Sequence, residues 1–366
     1  MSGTRLVPAS FESIPGWYDD DHARAFAAFL VSCRSINERV PSSLARTTTD
    51  DLIAAVCAKA LRRSNRPVRE AEARHFFERF FVPHAVEHSA PHGLLTGYYE
   101  PIVEGSRIPD HRFRVPLHRR PPDLVNVVAE SERANPGVAY THMRQTANGL
   151  VPYPTRAEID AGALEGQSLE LIWLADPVDA FFAQVQGSLR VRLPDGMMVG
   201  LTYDGKNGHP YTSIGRILVD RGEIEPAAMS LERLGAWALS DEGRGRKLMQ
   251  HNASYVFFRE TDDASAQGVL GTPLLPGRSL AVDTAHVALG LPVFVDAPSL
   301  RHWGRRAPFR RLMVAHDVGS AIHGPERGDV YFGAGTLAGK RAGITKHPVD
   351  FYVLLPRAAV SGRVSP

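Results

Sequence analysis

The sequence lacks several features that would assign it directly to a protein class. It has two cysteines in 366 residues, which excludes a disulfide-dense scaffold and a multi-cysteine metal site. Its formal net charge is +2, which gives no general attraction to nucleic acid or another polyanion. No apolar run reaches about 18 residues, so no membrane-spanning helix is predicted. The first residues also lack the apolar core of a signal peptide, so export is expected to use another route or a leader outside this sequence.

The composition that is present is typical of a globular enzyme. Hydrophobic residues make up 43% of the chain and charged residues 22%. The 32 glycines and 27 prolines favour many short strands joined by turns. A chain of 366 residues is long enough for two domains or for one elaborated domain.

The two cysteines, Cys33 and Cys57, fall on the apolar faces of two predicted helices. They could be buried thiols or form a single disulfide, and the residues alone leave both interpretations open. An oxidising compartment would favour the disulfide.

One short pattern, His84-Ala-Val-Glu87-His88, matches a zinc-protease motif. Pro83 precedes it and a proline-containing segment follows, so little helix is left to place both histidines on one face. We therefore expect an ordinary exposed segment here, with no metal bound.

Chemistry is more strongly indicated near the C-terminus. Asp317 follows a predicted strand at Leu312–Ala315, and Asp329 precedes another at Val330–Phe332. A carboxylate at the edge of a buried strand is costly unless it is paired or used. Both aspartates are therefore candidate functional residues.

Four longer motifs carry a family resemblance: LTGYYEP at 95–101, DPVDAFFAQVQGS at 176–188, YDGKNGHPYTSIG at 203–215 and NASYVFF at 252–258. With them, the chain resembles the membrane-bound lytic murein transglycosylase A family. Its C-terminal part is similar to the three-aspartate domain, with Asp283, Asp317 and Asp329 at the three positions. One departure is Leu189, where the family often has glycine.

The resemblance implies a mainly β fold with a helical layer. Residues 1–104 and 263–366 would form a discontinuous double-psi β-barrel domain with N-terminal helices. Residues 105–262 would form a smaller inserted β-domain, with a groove for a glycan strand between the two. The pattern of apolar residues and turns alone predicts many strands after Gly93, but it does not predict the barrel topology.

The resemblance also implies a reaction: cleavage of the β-1,4 bond between MurNAc and GlcNAc of peptidoglycan, with formation of 1,6-anhydro-MurNAc. Asp329 would act as general acid and then as base. For this its pKa must be raised, either by burial or by the negative charge of Asp317. Asp317 is thus a supporting candidate or a turn carboxylate, and Asp283 a supporting candidate whose role is expected to be structural.

The family motifs supply nine candidate glycan-binding residues, because sugars present both hydroxyls and apolar ring faces. They are Tyr99, Glu100, Gln186, Ser188, Tyr203, Lys206, Asn207, Tyr211 and Ser213. No cofactor or metal is expected. The expected partners are peptidoglycan glycan strands. An association with the outer membrane or with cell-wall synthesis proteins is also expected, and binding to nucleic acid is not. The protein is expected to be a periplasmic, outer-membrane-associated monomer.

Two other functions compete with this one. A double-psi barrel could bind polysaccharide without cleaving it, since a fold does not fix a function. Asp317-Val-Gly-Ser320 also resembles the loop of aspartic proteases, but the sequence offers no second such loop to complete the pair of carboxyls.

Overall fold

A computed structural model describes residues 4–38, 48–63, 66–90, 92–128, 140–262, 265–304, 307–319 and 321–357. The chain divides into two units, the first made of residues 1–96, 268–331 and 345–366, and the second of 97–267 and 332–344. The sequence-based division placed the boundaries at 104/105 and 262/263 and did not separate 332–344. In the described residues, no helix combines the length and apolar character needed to cross a membrane.

Helices and strands are numbered in chain order. The helices are α1 His22–Glu38, α2 Thr48–Leu61, α3 Glu70–Phe80, α4 Arg156–Asp160, α5 Pro177–Gln186, α6 Ile214–Asp220, α7 Leu231–Leu239, α8 Glu242–Gln250 and α9 Thr336–Gly343. The strands are β1 Arg5–Pro8, β2 Phe81–Glu87, β3 Gly93–Glu100, β4 Ile102–Ser106, β5 Val115–His118, β6 Leu124–Asn126, β7 His142–Thr146, β8 Gly149–Val151, β9 Glu170–Leu174, β10 Ser188–Arg192, β11 Met198–Lys206, β12 Val256–Thr261, β13 Ser279–Val282, β14 Pro292–Ala297, β15 Phe309–Asp317, β16 Arg327–Ala334 and β17 Lys346–Pro356.

The first unit is built on a closed sheet. Its strands run in the order β1-β2-β17-β14-β15-β13-β16-β3, and β3 also pairs with β17. The six strands from β17 to β3 therefore form a barrel, in which β13 and β15 are parallel. A mainly β fold with added helices is confirmed, whereas the chain crossings that define a double-psi barrel stay a prediction.

A helical layer belongs to the same unit and is held by aromatic packing. Phe26 and Phe29 of α1 contact Phe76 and Phe77 of α3, with ring centroids 5.0–6.2 Å apart. The sequence left open whether the two cysteines are free thiols or a disulfide. In the structure Cys33 and Cys57 form a disulfide between α1 and α2, with their Cα atoms 4.8 Å apart.

The expectation that residues 84–88 form an ordinary exposed segment was wrong. They lie in and next to strand β2, and His88 is half-buried, with its Nε2 2.6 Å from Glu326 Oε2. His88 Nδ1 accepts the backbone N–H of Ala90, so Nε2 carries the proton that is donated to Glu326. Pro83 does not interrupt the strand, because its carbonyl still accepts a hydrogen bond from Ala9.

The second unit contains a six-stranded sheet in the order β12-β11-β10-β4-β9-β5. A bridge between Arg119, which follows β5, and Phe258 of β12 joins its two edges. Strands β10 and β11 form an antiparallel hairpin whose turn contains residues 194–196. Leu189 packs in the core of this sheet with Val191 and Phe258. Leu189, which replaces the glycine that the family often has, is therefore a core residue.

Candidate functional site

Asp329 is held on the non-core face of β16. Side chains alternate along a strand, and the neighbouring Val330 is fully buried, so Asp329 points away from the barrel core. Its carboxylate is fixed by Thr96 of β3, whose Oγ1 donates a hydrogen bond to Asp329 Oδ1 at 2.6 Å. Thr96 lies within the LTGYYEP motif but was not among the candidates.

Burial raises the pKa of Asp329 to about 6, against an ordinary value near 4. The hydrogen bond from Thr96 and the positive charge of Arg327 act in the opposite direction and hold the pKa below what burial alone would give. A carboxyl that titrates near neutral pH can donate a proton in one step and accept one in the next.

Asp317 is not the source of this raised pKa. Ala281 of β13 pairs with Asp317 on one side and Asp329 on the other, which places the two aspartates two strands apart. That separation is roughly 10 Å between Cα atoms. Asp317 Oδ1 instead accepts the backbone N–H of Val269 at 3.2 Å. Of the two causes that the sequence left open, the structure favours burial.

Asp283 is buried and capped by backbone groups. Its Oδ1 accepts the N–H of Ala285 at 3.0 Å, and its Oδ2 accepts the N–H of Gly324 at 2.7 Å. Gly324 lies in the connection from β15 to β16, the strand that carries Asp329. These contacts fit the structural role expected for Asp283.

Thr96→Val is expected to move the pH dependence of any reaction that needs protonated Asp329. The Thr96 hydroxyl stabilises the carboxylate, so its removal raises the pKa of Asp329 further above about 6. The alkaline limb of the pH profile of kcat/KM should therefore shift to higher pH.

A matched control is Thr272→Val in the same unit. Thr272 is fully buried, and among the described residues its hydroxyl has no hydrogen-bond partner, so its loss should leave the profile unchanged. An alkaline limb that stays in place in Thr96→Val would remove Thr96 from the site.

Two of the nine glycan-binding candidates serve internal contacts instead. Asn207 is fully buried, and its side chain bonds the backbone of Pro154, Ala253 and Tyr255 at 2.8–2.9 Å. Glu100 is 3% exposed and accepts a hydrogen bond from Arg190 Nε at 2.7 Å. Neither side chain is available to a sugar, because each is itself buried and already hydrogen-bonded within the protein.

The other candidates divide by exposure. Gln186 Oε1 accepts the backbone N–H of Tyr99 at 3.0 Å, which brings those two together, and the Tyr203 side chain is 40% exposed. Ser213 caps α6 by accepting the N–H of Arg216. Ser188 is buried, whereas Lys206 and Tyr211 are partly exposed. Tyr99 and Tyr203 offer the aromatic faces that sugar rings pack on.

No cluster of three or more histidine, cysteine, aspartate or glutamate side chains in the described residues could hold a metal ion. The strongest candidate in the site is Asp329, whose pKa is raised to about 6 and whose carboxylate accepts a hydrogen bond from the Thr96 hydroxyl.

Comparison with known proteins identifies the family. The MltA specific insert domain matches residues 94–259, and the 3D domain matches residues 278–355. A crystal structure of membrane-bound lytic murein transglycosylase from Agrobacterium tumefaciens is 37% identical, with a TM-score of 0.86 over 96% of this chain and 98% of that chain. The chain belongs to the MltA family.

Other members of the family are also similar to this chain. MltA from Neisseria gonorrhoeae, in its monoclinic form, is 31% identical with a TM-score of 0.77, covering 97% of this chain and 94% of that one. E. coli MltA with bound chitohexaose is 27% identical with a TM-score of 0.69, covering 97% and 92%. Membrane-bound lytic murein transglycosylase A of Vibrio cholerae is 35% identical over 258 residues, which is 69% of this chain and 63% of that relative. The alignment thus spans just under two thirds of that MltA relative.

Proposed function

We propose that this protein is a peptidoglycan lytic transglycosylase that cleaves the β-1,4 bond between MurNAc and GlcNAc and leaves a 1,6-anhydro-MurNAc end. The observation that carries the proposal is Asp329, a half-buried aspartate whose pKa is raised to about 6 and whose orientation is fixed by Thr96. Family membership supplies the substrate class, since its relatives are named lytic murein transglycosylases.

In the proposed reaction, protonated Asp329 donates its proton to the glycosidic oxygen as the bond from that oxygen to C1 of MurNAc breaks. The 6-hydroxyl oxygen of the same MurNAc then bonds to C1. Asp329, now a carboxylate, removes the proton of that hydroxyl and returns to its starting state. Atoms and charge balance without water or a second nucleophile.

One carboxyl is sufficient because the attacking oxygen belongs to the substrate. Hydrolytic glycosidases need a second carboxyl to activate water or to attack carbon. Here the 6-hydroxyl is already tethered to the reacting ring, so its effective concentration is high. This fits the geometry, in which Asp317 receives a backbone N–H and lies two strands away from Asp329.

Glycan binding in the second unit is proposed for Tyr99, Gln186 and Tyr203, which combine aromatic faces with polar groups. The structure of E. coli MltA with chitohexaose shows that a relative binds a β-1,4-linked sugar chain. We also propose a periplasmic, membrane-associated location, because the curated relatives are named membrane-bound.

The test is product analysis after digestion of peptidoglycan sacculi in ¹⁸O-labelled water. The proposal expects anhydro-muropeptides without solvent oxygen at the new sugar end. Reducing ends that carry ¹⁸O would indicate a hydrolase. Binding without release of any fragment would favour the alternative, a non-catalytic polysaccharide-binding protein.

A further inference from the structure

The face of the barrel that carries Asp329 can be followed across three strands. Strand β3 lies between β16 and β17. Thr96 of β3 bonds Asp329 of β16 on one side, and on the other side it is directly opposite Lys346 of β17. Directly opposed residues of an antiparallel pair project to the same face. Asp329, Thr96 and Lys346 therefore form one row across the barrel surface.

The Lys346 side chain is exposed, and among the residues that the structure describes it has no ion-pair partner. Lys346 and Asp329 are two strands apart, roughly 10 Å between Cα atoms, a distance that an extended lysine can partly bridge. The ammonium group is thus free to bind a ligand held next to Asp329.

Other charges on this face do not neutralise Lys346. Arg327 precedes Asp329 by two residues on the same face of β16, and its Nη1 lies 3.5 Å from the carbonyl oxygen of Leu94. The nearest acidic residue along β17 is Asp350, four residues on, whose Oδ1 is 3.3 Å from His92 Nδ1. Two cations therefore flank the Asp329–Thr96 pair, which makes the face attractive to an anion.

We propose that Lys346 forms a carboxylate-binding subsite next to Asp329, which binds the acidic substituent on C3 of the MurNAc residue being cleaved. This inference rests on the proposed function. A chitin-type chain of GlcNAc has no carboxylate, whereas MurNAc carries a lactyl group at C3. The subsite would thus distinguish muramyl glycans from neutral ones by charge.

Two sources of the carboxylate share this chemistry. In a glycan strand without peptides, it is the free lactyl carboxylate itself. In an intact strand the lactyl group is amide-linked, and the carboxylate belongs to the peptide stem that extends from it. The proposal assigns the ammonium–carboxylate contact, and the experiment separates the sources.

The experiment compares wild type with Lys346→Met on strands that carry peptide stems and on strands whose stems were removed by an amidase. KM is expected to rise roughly three- to tenfold on at least one of these substrates, with kcat nearly unchanged, because an ion pair held before and during reaction contributes uniform binding. The rise should shrink at high salt and be largely restored in Lys346→Arg. A rise on stripped strands alone identifies the lactyl carboxylate, and a rise on intact strands alone identifies the stem.

Neutral chitohexaose and an unrelated lysine serve as controls. The Kd of chitohexaose, measured by calorimetry, should be the same in wild type and Lys346→Met. Lys247→Met removes an exposed lysine of α8 in the other unit and should leave KM unchanged. Equal KM values for wild type and Lys346→Met on both charged substrates would overturn the proposal, as would an equal loss of chitohexaose binding.

Failure of the proposed function has a different signature, namely that the wild type releases no anhydro-muropeptide from either substrate. The subsite is then tested by the same comparison with Kd in place of KM. Weaker binding of charged glycan by Lys346→Met would support it, and unchanged binding would overturn it.

Discussion

Asp329→Asn is expected to reduce the release of anhydro-muropeptides by about a thousandfold or more, because the reaction then has neither its proton donor nor its base. Asparagine has nearly the same shape and can still accept the hydrogen bond from Thr96. The loss should therefore appear in kcat, with little change in KM. Mass analysis of sacculus digests, quantified over time, measures it.

The variant should remain folded, which separates lost chemistry from lost structure. The pKa of Asp329 is raised from an ordinary value near 4 to about 6, so the folded state favours the protonated form. The cost of ionising the buried group is absent below pH 4, grows between pH 4 and pH 6, and is fully present at pH 7. Removing the charge should therefore leave the thermal midpoint at pH 7 equal or higher.

Two further variants make the comparison specific. Asp317→Asn tests the second aspartate considered for the site and should retain more than roughly a tenth of the activity, because Asp317 lies two strands away from Asp329 and is not needed for proton transfer. Asp262→Asn changes an exposed aspartate and should behave as wild type. If Asp317→Asn were as inactive as Asp329→Asn, a single-carboxyl mechanism could not stand.

Local elements of this fold follow from nearby residues, so they could be predicted. The hairpin of β10 and β11 is specified by its turn at Pro194–Gly196. Helices α7 and α8 begin where Ser230 and Asp241 cap them, each accepting a backbone N–H three residues on. In these cases the responsible residues lie within a few positions of one another.

Closure of the barrel could not be predicted in this way. It depends on β3 pairing with β17, a contact between residues about 250 positions apart that no local period encodes. The same limit explains why Thr96 was missed as the partner of Asp329, and His88 as the partner of Glu326. Each pair joins segments more than 200 residues apart, and only the assembled sheet brings them together.

The orientation of side chains was the second feature that the sequence could not predict. The motifs at 95–101 and 203–215 indicate which residue types the family uses, but not which way each side chain points. Tyr203 is exposed on β11, while Asn207, four residues later, is turned inward to bond three backbone groups. A polar residue in a functional motif can therefore serve the backbone that shapes a site without touching substrate.

The largest effect on stability is expected at an ion pair that the sequence did not indicate. Asp20, just before α1, is 6% exposed and Arg278 is 3% exposed. They form two hydrogen bonds of 2.7 and 2.8 Å. The Asp20 carboxylate also accepts the N–H of Leu312 at 2.8 Å, and Arg278 donates to the carbonyl of the same residue. The pair thus fastens the segment before α1 to strand β15.

Asp20→Asn is expected to destabilise the first unit by about 3–5 kcal/mol, because it leaves the Arg278 guanidinium buried without a counter-charge. The apparent thermal midpoint should fall by roughly 6–15 °C. The matched control is Asp220→Asn in the exposed ion pair with Arg216, which should cost less than about 1 kcal/mol.

The double variant Asp20→Asn/Arg278→Met shows whether the loss of stability in Asp20→Asn comes from the unpaired charge of Arg278. If the cost arises from an uncompensated buried charge, removing the arginine as well should recover part of the stability, giving a double variant less destabilised than the sum of the single ones. Additive losses would instead mean that the two side chains act only through packing. Recovery would show that the charge on one side chain is tolerated in this core only because the other opposes it.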